Sequence, residues 1–150
     1  MADTFTNLLV HVVFSTKHRA ALLGEPLRER LYEYIGGILR KEGDALLEIG
    51  GMPDHVHLLV RLKADRSVAA MARDIKASSS KWVHQTFSEC QSFAWQTGYG
   101  AFSVSESQVA TVRRYIQGQA EHHTRLSFKD ELVALLRRHG IGYEERYLLD

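Results

Sequence analysis

The sequence predicts an α/β fold of the α+β kind: an antiparallel or mixed sheet with helices on one face, followed by two C-terminal helices. Three observations predict it. Residues 5–16 and 54–62 alternate side chains with the period of two that marks half-buried strands. Two longer segments, from Pro26 and from Ser67, repeat apolar residues at helical spacing. The order of the first six elements is strand, helix, strand, strand, helix, strand, which is the ferredoxin-like pattern.

In the first strand Leu8, Val10, Val12 and Phe14 share one face, and Asn7, Leu9, His11, Val13 and Ser15 the other. Pro26 suits the first turn of a helix whose stripe is Leu27, Leu31, Tyr34, Ile35, Ile38 and Leu39, ending near Gly43. A strand from Ala45 to Ile49 turns at Gly50-Gly51 into the strand of residues 54–62, a hairpin signal. Ser67 caps a second helix with Val68, Met71, Ala72, Ile75, Ser79, Trp82 and Val83 inward, and a Gly-interrupted strand lies near 94–104. Ser105-Glu106-Ser107-Gln108 has the form of a capping box opening a helix to about His122, with Val109, Val112, Ile116 and Ala120 buried. A further helix runs from Phe128 to His139, stopped by Gly140, and Tyr143 to Asp150 form a tail.

This order places the first and third strands side by side and leaves His11, His55 and His57 on a sheet face without helices. That face also carries Leu9, Val13 and Leu59, so it needs a cover. The tyrosine-bearing helix of a second copy is an economical one. The sequence shows no repeat, low-complexity run or linker, so residues 1–150 are expected to form a single domain.

Of the 150 residues 45% are hydrophobic and 25% charged, a globular balance, and no apolar run approaches the ~20 residues of a membrane span. The sequence starts without the basic and apolar regions of a signal peptide, and Cys90 is the only cysteine. A reducing cytoplasm is the expected compartment. With 19 Lys and Arg against 18 Asp and Glu, the net charge of +1 is too small for generic affinity for a polyanion. Any nucleic-acid contact must use a local patch. The candidates are Lys17, His18 and Arg19 after the first strand, Arg61 and Lys63 after the histidines, Lys76 and Lys81 on the second helix, and Arg113 and Arg114 beside Tyr115. Trp95, Tyr99 and Phe102 offer rings for unpaired bases or for packing, and Phe102 is read as packing.

The segment Pro53-Asp54-His55-Val56-His57-Leu58-Leu59-Val60 carries the chemistry. Two imidazoles two residues apart on a strand share a face and can converge on one divalent ion, with Asp54 a further oxygen donor. On the later helix Gln108, Tyr115, Gln119 and His122 form a stripe, since Tyr115 lies four residues before Gln119 and seven before His122. A phenol that attacks phosphorus needs its target's charge neutralised, which a bound metal supplies. Each motif provides what the other lacks.

The ordered set of His55-Val56-His57 after Pro-Asp, then Tyr115-Ile116 and Gln119, resembles the single-tyrosine HUH transposases, named for histidine, a hydrophobic residue and histidine. These are the transposases of the insertion sequence 200 type and those associated with repetitive extragenic palindromes. The resemblance extends over nearly the whole chain, including the opening strand from Leu8 to Lys17 and the segment Trp95 to Ser105. It implies a nuclease and strand transferase acting on single-stranded DNA with hairpin ends through a covalent 5′-phosphotyrosine. By the same resemblance Tyr115 is the nucleophile, and His55, His57 and Gln119 hold Mg2+ or Mn2+. It also implies a homodimer in which the histidines of one chain serve the tyrosine of the other. His122 and His123 are read first as solvated residues at the negative end of a helix, with ligand or phosphate contact as other readings, and His11 is unassigned. Two alternatives come from other classes: a metal-dependent phosphoesterase using activated water, and a non-catalytic ferredoxin-like dimer that binds nucleic acid.

Overall fold

Val10, Val12 and Phe14 of one strand and Val56, Leu58 and Val60 of its neighbour point to the same side because strand side chains alternate, and all six are buried. In a computed structural model describing residues 3–149, they form the floor of the main core. Met1, Ala2 and Asp150, the last of the expected tail, lie outside the described residues. The strands are β1 (Leu8–Ser15), β2 (Ala45–Met52), β3 (His55–Leu62) and β4 (Gly100–Val104), in the order β2-β3-β1-β4. Every neighbouring pair is antiparallel.

Two helices close that core. The first, α1 (Leu27–Lys41), buries Leu27, Leu31, Ile35 and Leu39, and α2 (Val68–Thr86) buries Met71, Ile75 and Val83, each a stripe at helical spacing. Ser67 caps α2 as expected, its hydroxyl accepting from the Ala70 N–H at 3.0 Å. Past the end of α1, Gly43 takes φ +87°, the left-handed conformation a helix stop favours.

The expected hairpin turn is displaced. Gly50 and Gly51 sit inside the ladder, paired with His57 and Val56, and the chain turns at Pro53-Asp54. A Cβ on Gly50 would lie 2.7 Å from the Ile116 carbonyl oxygen, so this glycine admits a helix rather than making a turn. The strand expected near 94–104 is also shorter. Only Gly100–Val104 pairs continuously, with Trp95 making an isolated bridge to Thr16. The carbonyls of Gln96, Thr97 and Gly98 instead accept from Lys76 Nζ.

The C-terminal third consists of α3 (Val109–Gln117), α4 (Gln119–His122) and α5 (Phe128–Arg138). The single helix expected from Ser105 to His122 is interrupted twice. Ser105 Oγ bonds Ser107 Oγ, and the Gln108 N–H bonds the Ser105 carbonyl, so a 3-10 turn replaces the capping box. Gly118 then separates α3 from α4, its N–H closing on the Arg114 carbonyl. On α5 the Ser127 hydroxyl caps the Asp130 N–H at 3.2 Å.

These helices settle how the histidine face is covered. Phe128, Leu132, Leu135 and Leu136 of α5 pack on Val13 and Phe102, while α3 crosses β2 at Gly50. A face left open for a second copy's tyrosine helix is therefore corrected to one closed by the chain's own α3 and α5. The apolar stripe on α5 supplies the burial that the expectation sought from a partner.

Candidate active site

His55 and His57 alternate with Val56 on β3, so both imidazoles enter the layer between the sheet and the C-terminal helices, and both are completely buried. Across the ladder Ser15 faces His55 and Val13 faces His57. On the second ring nitrogen of each histidine sits an orienting partner. His55 Nδ1 lies 2.7 Å from Asp54 Oδ1, and His57 Nδ1 lies 2.8 Å from His11 Nε2. The Nε2 atoms are thereby turned inward, the arrangement that fixes imidazole ligands. His55 also stacks on Phe128 at 4.4 Å between ring centres.

Opposite them α3 and α4 present Tyr115 and Gln119, and α5 presents Glu131. Gln119 Oε1 is 2.9 Å from His55 Nε2. Glu131 Oε1 is 3.0 Å from His57 Nε2 and 3.3 Å from His55 Nε2. Its other oxygen accepts from the Tyr115 hydroxyl and, at 2.9 Å, from Gln119 Nε2. His123 Nε2 is 3.0 Å from both Gln119 Oε1 and Glu131 Oε1. One buried carboxylate thus touches the phenol and both histidines.

The charges follow from these contacts. Burial disfavours a cation on His55, but hydrogen bonds to Asp54, Glu131 and Gln119 outweigh it and bring the imidazole up to about 9. Burial also opposes charge on Glu131. Hydrogen bonds from His55 and His57 overcome that and hold its carboxyl well below the usual range. Burial, with His57 beside it, lowers His11 to about 3, and burial chiefly lowers His57. Tyr115 is raised by burial and then by the Glu131 carboxylate, so its phenol stays protonated.

The donor set suits a divalent ion. One ligand atom from each of His55, His57 and Glu131 lies within 4.8 Å of the others, and Gln119 Oε1 joins them at His55. Two imidazoles with carboxylate and amide oxygens are borderline ligands of the kind that Mn2+ accepts readily and Mg2+ less so.

The sequence-expected residues Tyr115, His55, His57 and Gln119 are brought together. Glu131, His123 and His11 join them without having been singled out by a motif. Glu131 did leave a signal: a carboxylate set into the apolar stripe Phe128, Leu132, Leu135 is out of place unless it has a buried partner. His123 is correspondingly not a solvated helix end, whereas His122 Nε2 is buried with no hydrogen bond.

The basic candidates scatter. Arg114 borders a cavity of about 520 Å³ shared with Tyr115, His122 and Arg125. Lys17 and Arg19 are exposed just past β1, at the end where Ser15 pairs with His55. Arg113 is engaged by Glu48 at 3.3 Å, and Arg61 by Asn7 at 3.0 Å near the far end of β3. Lys76 and Lys81 lie on α2, which packs on the opposite sheet face, and the Lys76 amine is committed to its three carbonyls.

Comparison with known proteins agrees with this architecture. The family model for IS200-like transposases matches residues 4–119, from before β1 through Gln119. The chain belongs to the IS200-like transposase family. Among characterised transposases it is 23% identical over 114 residues to the ISDra2 transposase TnpA of Deinococcus radiodurans, covering 73% of this chain and 81% of that one. The crystal structure of a candidate transposase from Deinococcus radiodurans R1 superposes with a TM-score of 0.64 at 23% identity, covering 79% of this chain and 95% of that one. A REP-associated tyrosine transposase bound to a REP hairpin superposes with a TM-score of 0.62 at 16% identity, covering 82% and 74%. The transposase match ends at Gln119, so α5 with Glu131 lies beyond the matched segment.

Proposed function

We propose that this transposase cleaves and rejoins single-stranded DNA next to hairpins through a covalent 5′-phosphotyrosine on Tyr115, with Mg2+ or Mn2+ as cofactor. The observation that carries the reading is the single carboxylate of Glu131 shared by the Tyr115 hydroxyl and the Nε2 atoms of His55 and His57. It puts a nucleophile and a metal-ligand set within one side chain's reach. The family's transposase activity and the hairpin bound by a structural relative support the choice of substrate.

His55, His57, Gln119 and Glu131 would hold the ion. When bound, it supplies positive charge against the non-bridging oxygens of the scissile phosphate. Tyr115 Oη gives up its proton as it attacks phosphorus, the phosphorus–O3′ bond breaks, and the leaving O3′ takes up a proton, so the upstream strand departs as a free 3′-hydroxyl. Glu131 Oε2 orients the phenol before attack by accepting its hydrogen bond, and a substrate phosphate must draw Oη away from that contact. Asp54 and His11 keep the two imidazoles turned inward. Arg114, Arg125 and His122, around the cavity beside Tyr115, are the groups best placed for neighbouring phosphates. Lys17 and Arg19 are next, at the same end of the sheet as His55.

The site is assembled within one chain, and we take it to act so in solution, in place of the exchange of tyrosine helices between two copies. The test of the chemistry is covalent capture. A labelled single strand carrying a hairpin should remain on the wild-type protein after denaturation with Mn2+ present, and not on Tyr115→Phe. Equal capture by that variant overturns the mechanism. Hydrolysis without an adduct would instead favour the water-activating phosphoesterase, in which Tyr115 is dispensable.

A further inference from the structure

The Tyr115 ring stands between two cavities. One is the basic hollow with Arg114 and Arg125. The other, of about 470 Å³, lies between β4, α3 and the last turns of α5, and includes His11, Phe102, Gln108, Arg138 and His139 in its wall. Its size falls in the range of small-ligand sites. Phe102 and His139 stack within it, ring centres 4.4 Å apart and planes 23° from parallel, and His11 meets Phe102 edge-on at 6.0 Å. Gln108, exposed on the opposite wall, contributes an amide able both to donate and to accept.

Arg138 completes the set. Its guanidinium makes no hydrogen bond or ion pair among the described residues, yet it lies close enough to lower the Tyr115 phenol electrostatically. An unpaired cation, flat rings and an amide beside a phosphate-attacking phenol are the parts needed to hold one unpaired nucleotide. A carboxylate in that wall would argue otherwise, and none is present among its residues.

We infer that this cavity is the subsite for the unpaired nucleotide adjoining the scissile phosphate, its base against the exposed His139 ring, which the buried Phe102 backs, and its phosphate toward Arg138. The inference rests on the DNA-cleaving reading and adds to it where the strand runs: from the basic hollow, across Tyr115, into the ring-lined cavity. It also gives α5 a part in substrate selection, beyond the segment matched by the family.

The test has two stages. Covalent capture of a hairpin-bearing 40-nucleotide single strand on the wild-type protein with Mn2+ first locates the joined phosphate. The same strand is then remade with one abasic nucleotide walked across that phosphate, and its affinity for Tyr115→Phe protein is measured by fluorescence anisotropy. One abasic position, directly beside the joined phosphate, should weaken binding about 5-fold or more, the lower end of what a stacked base contributes. Thr111→Trp, placed on an exposed turn of α3 that borders the cavity, should fill it and make that abasic change nearly neutral. Arg138→Ala should weaken every strand alike and reduce the salt dependence by about one phosphate contact. An abasic effect that is flat along the strand, or that survives Thr111→Trp, overturns the subsite and leaves the cleavage reading intact. Failure to capture any strand in the first stage overturns the cleavage reading and the subsite with it.

Discussion

Glu131 decides most of what happens at the scale of single side chains. It is 1% exposed, and its two oxygens divide the site between them, one to the imidazoles and one to the phenol and Gln119 amide. Glu131→Gln keeps the shape but removes the charge and replaces an acceptor with a donor. Mn2+ affinity, read by calorimetry, should fall at least about tenfold, the scale of losses seen when a metal site's polar partners are altered. Unchanged affinity would remove Glu131 from the ligand set.

His55 makes a second prediction for the chelator-treated protein. Its imidazole rises from 6.5 to about 9 in the fold, so its proton is held more tightly folded than unfolded. The associated stability is fully present below pH 6.5 and disappears as pH climbs through about 9. The difference in unfolding free energy between wild type and His55→Asn, from denaturant titrations, should therefore shrink by a few kcal/mol across that window. A difference that does not change with pH would show that His55 is not held as a cation.

At the scale of elements, the tyrosine helix depends on a missing side chain in β2. Gly50→Ala drives a methyl to within 2.7 Å of the Ile116 carbonyl, one residue from Tyr115. Overpacking of this kind costs about 1–3 kcal/mol, and here the displaced part carries Tyr115, the proposed nucleophile. Adduct formation should drop more than tenfold while Mn2+ binding changes less than threefold, since Gly50 pairs beside His57 without touching its ring nitrogens. Loss of both together would mean that the displacement had reached Gln119 or β3 as well.

The same elements show what a sequence discloses. Period-two alternation in β1 and β3 and the stripes of α1 and α2 were legible because burial on one face selects residue types directly. Ser67 was legible as a cap because the hydroxyl competes only with local groups. Ser105 was not: another hydroxyl, on Ser107, captures it, and pattern cannot rank the two. Gly50 reads as a turn in the sequence because its need for space comes from a helix more than sixty residues later. Spacing alone puts His55 with His57 on one strand face and Tyr115 with Gln119 on one helix face, their proposed roles come from the family resemblance, and Glu131 requires knowing which face of α5 lies on the sheet.

Over the whole molecule, the self-covered histidine face makes a claim about subunits. Mixing His57→Ala with Tyr115→Phe protein yields no intact site if each chain builds its own, so adduct formation should stay at the background of either variant alone. Recovery that scales with the abundance of co-purified mixed dimers would show that the helices exchange. No helix among the described residues is long and apolar enough to cross a membrane.

The sheet order β2-β3-β1-β4 also sets when the parts meet in a chain still emerging from the ribosome. The β2–β3 hairpin is local and can form as soon as it is made, whereas β1 pairs with β4 across most of the chain. The bonds that complete the site are equally remote, His57 to Glu131 spanning 74 residues and His55 to Gln119 spanning 64. Long loops of this kind close late. The nascent protein therefore carries His55 and His57 long before Tyr115, Gln119 and Glu131 arrive to complete the proposed site. On the proposed reading, synthesis itself delays DNA cutting until α5 has been made and folded down.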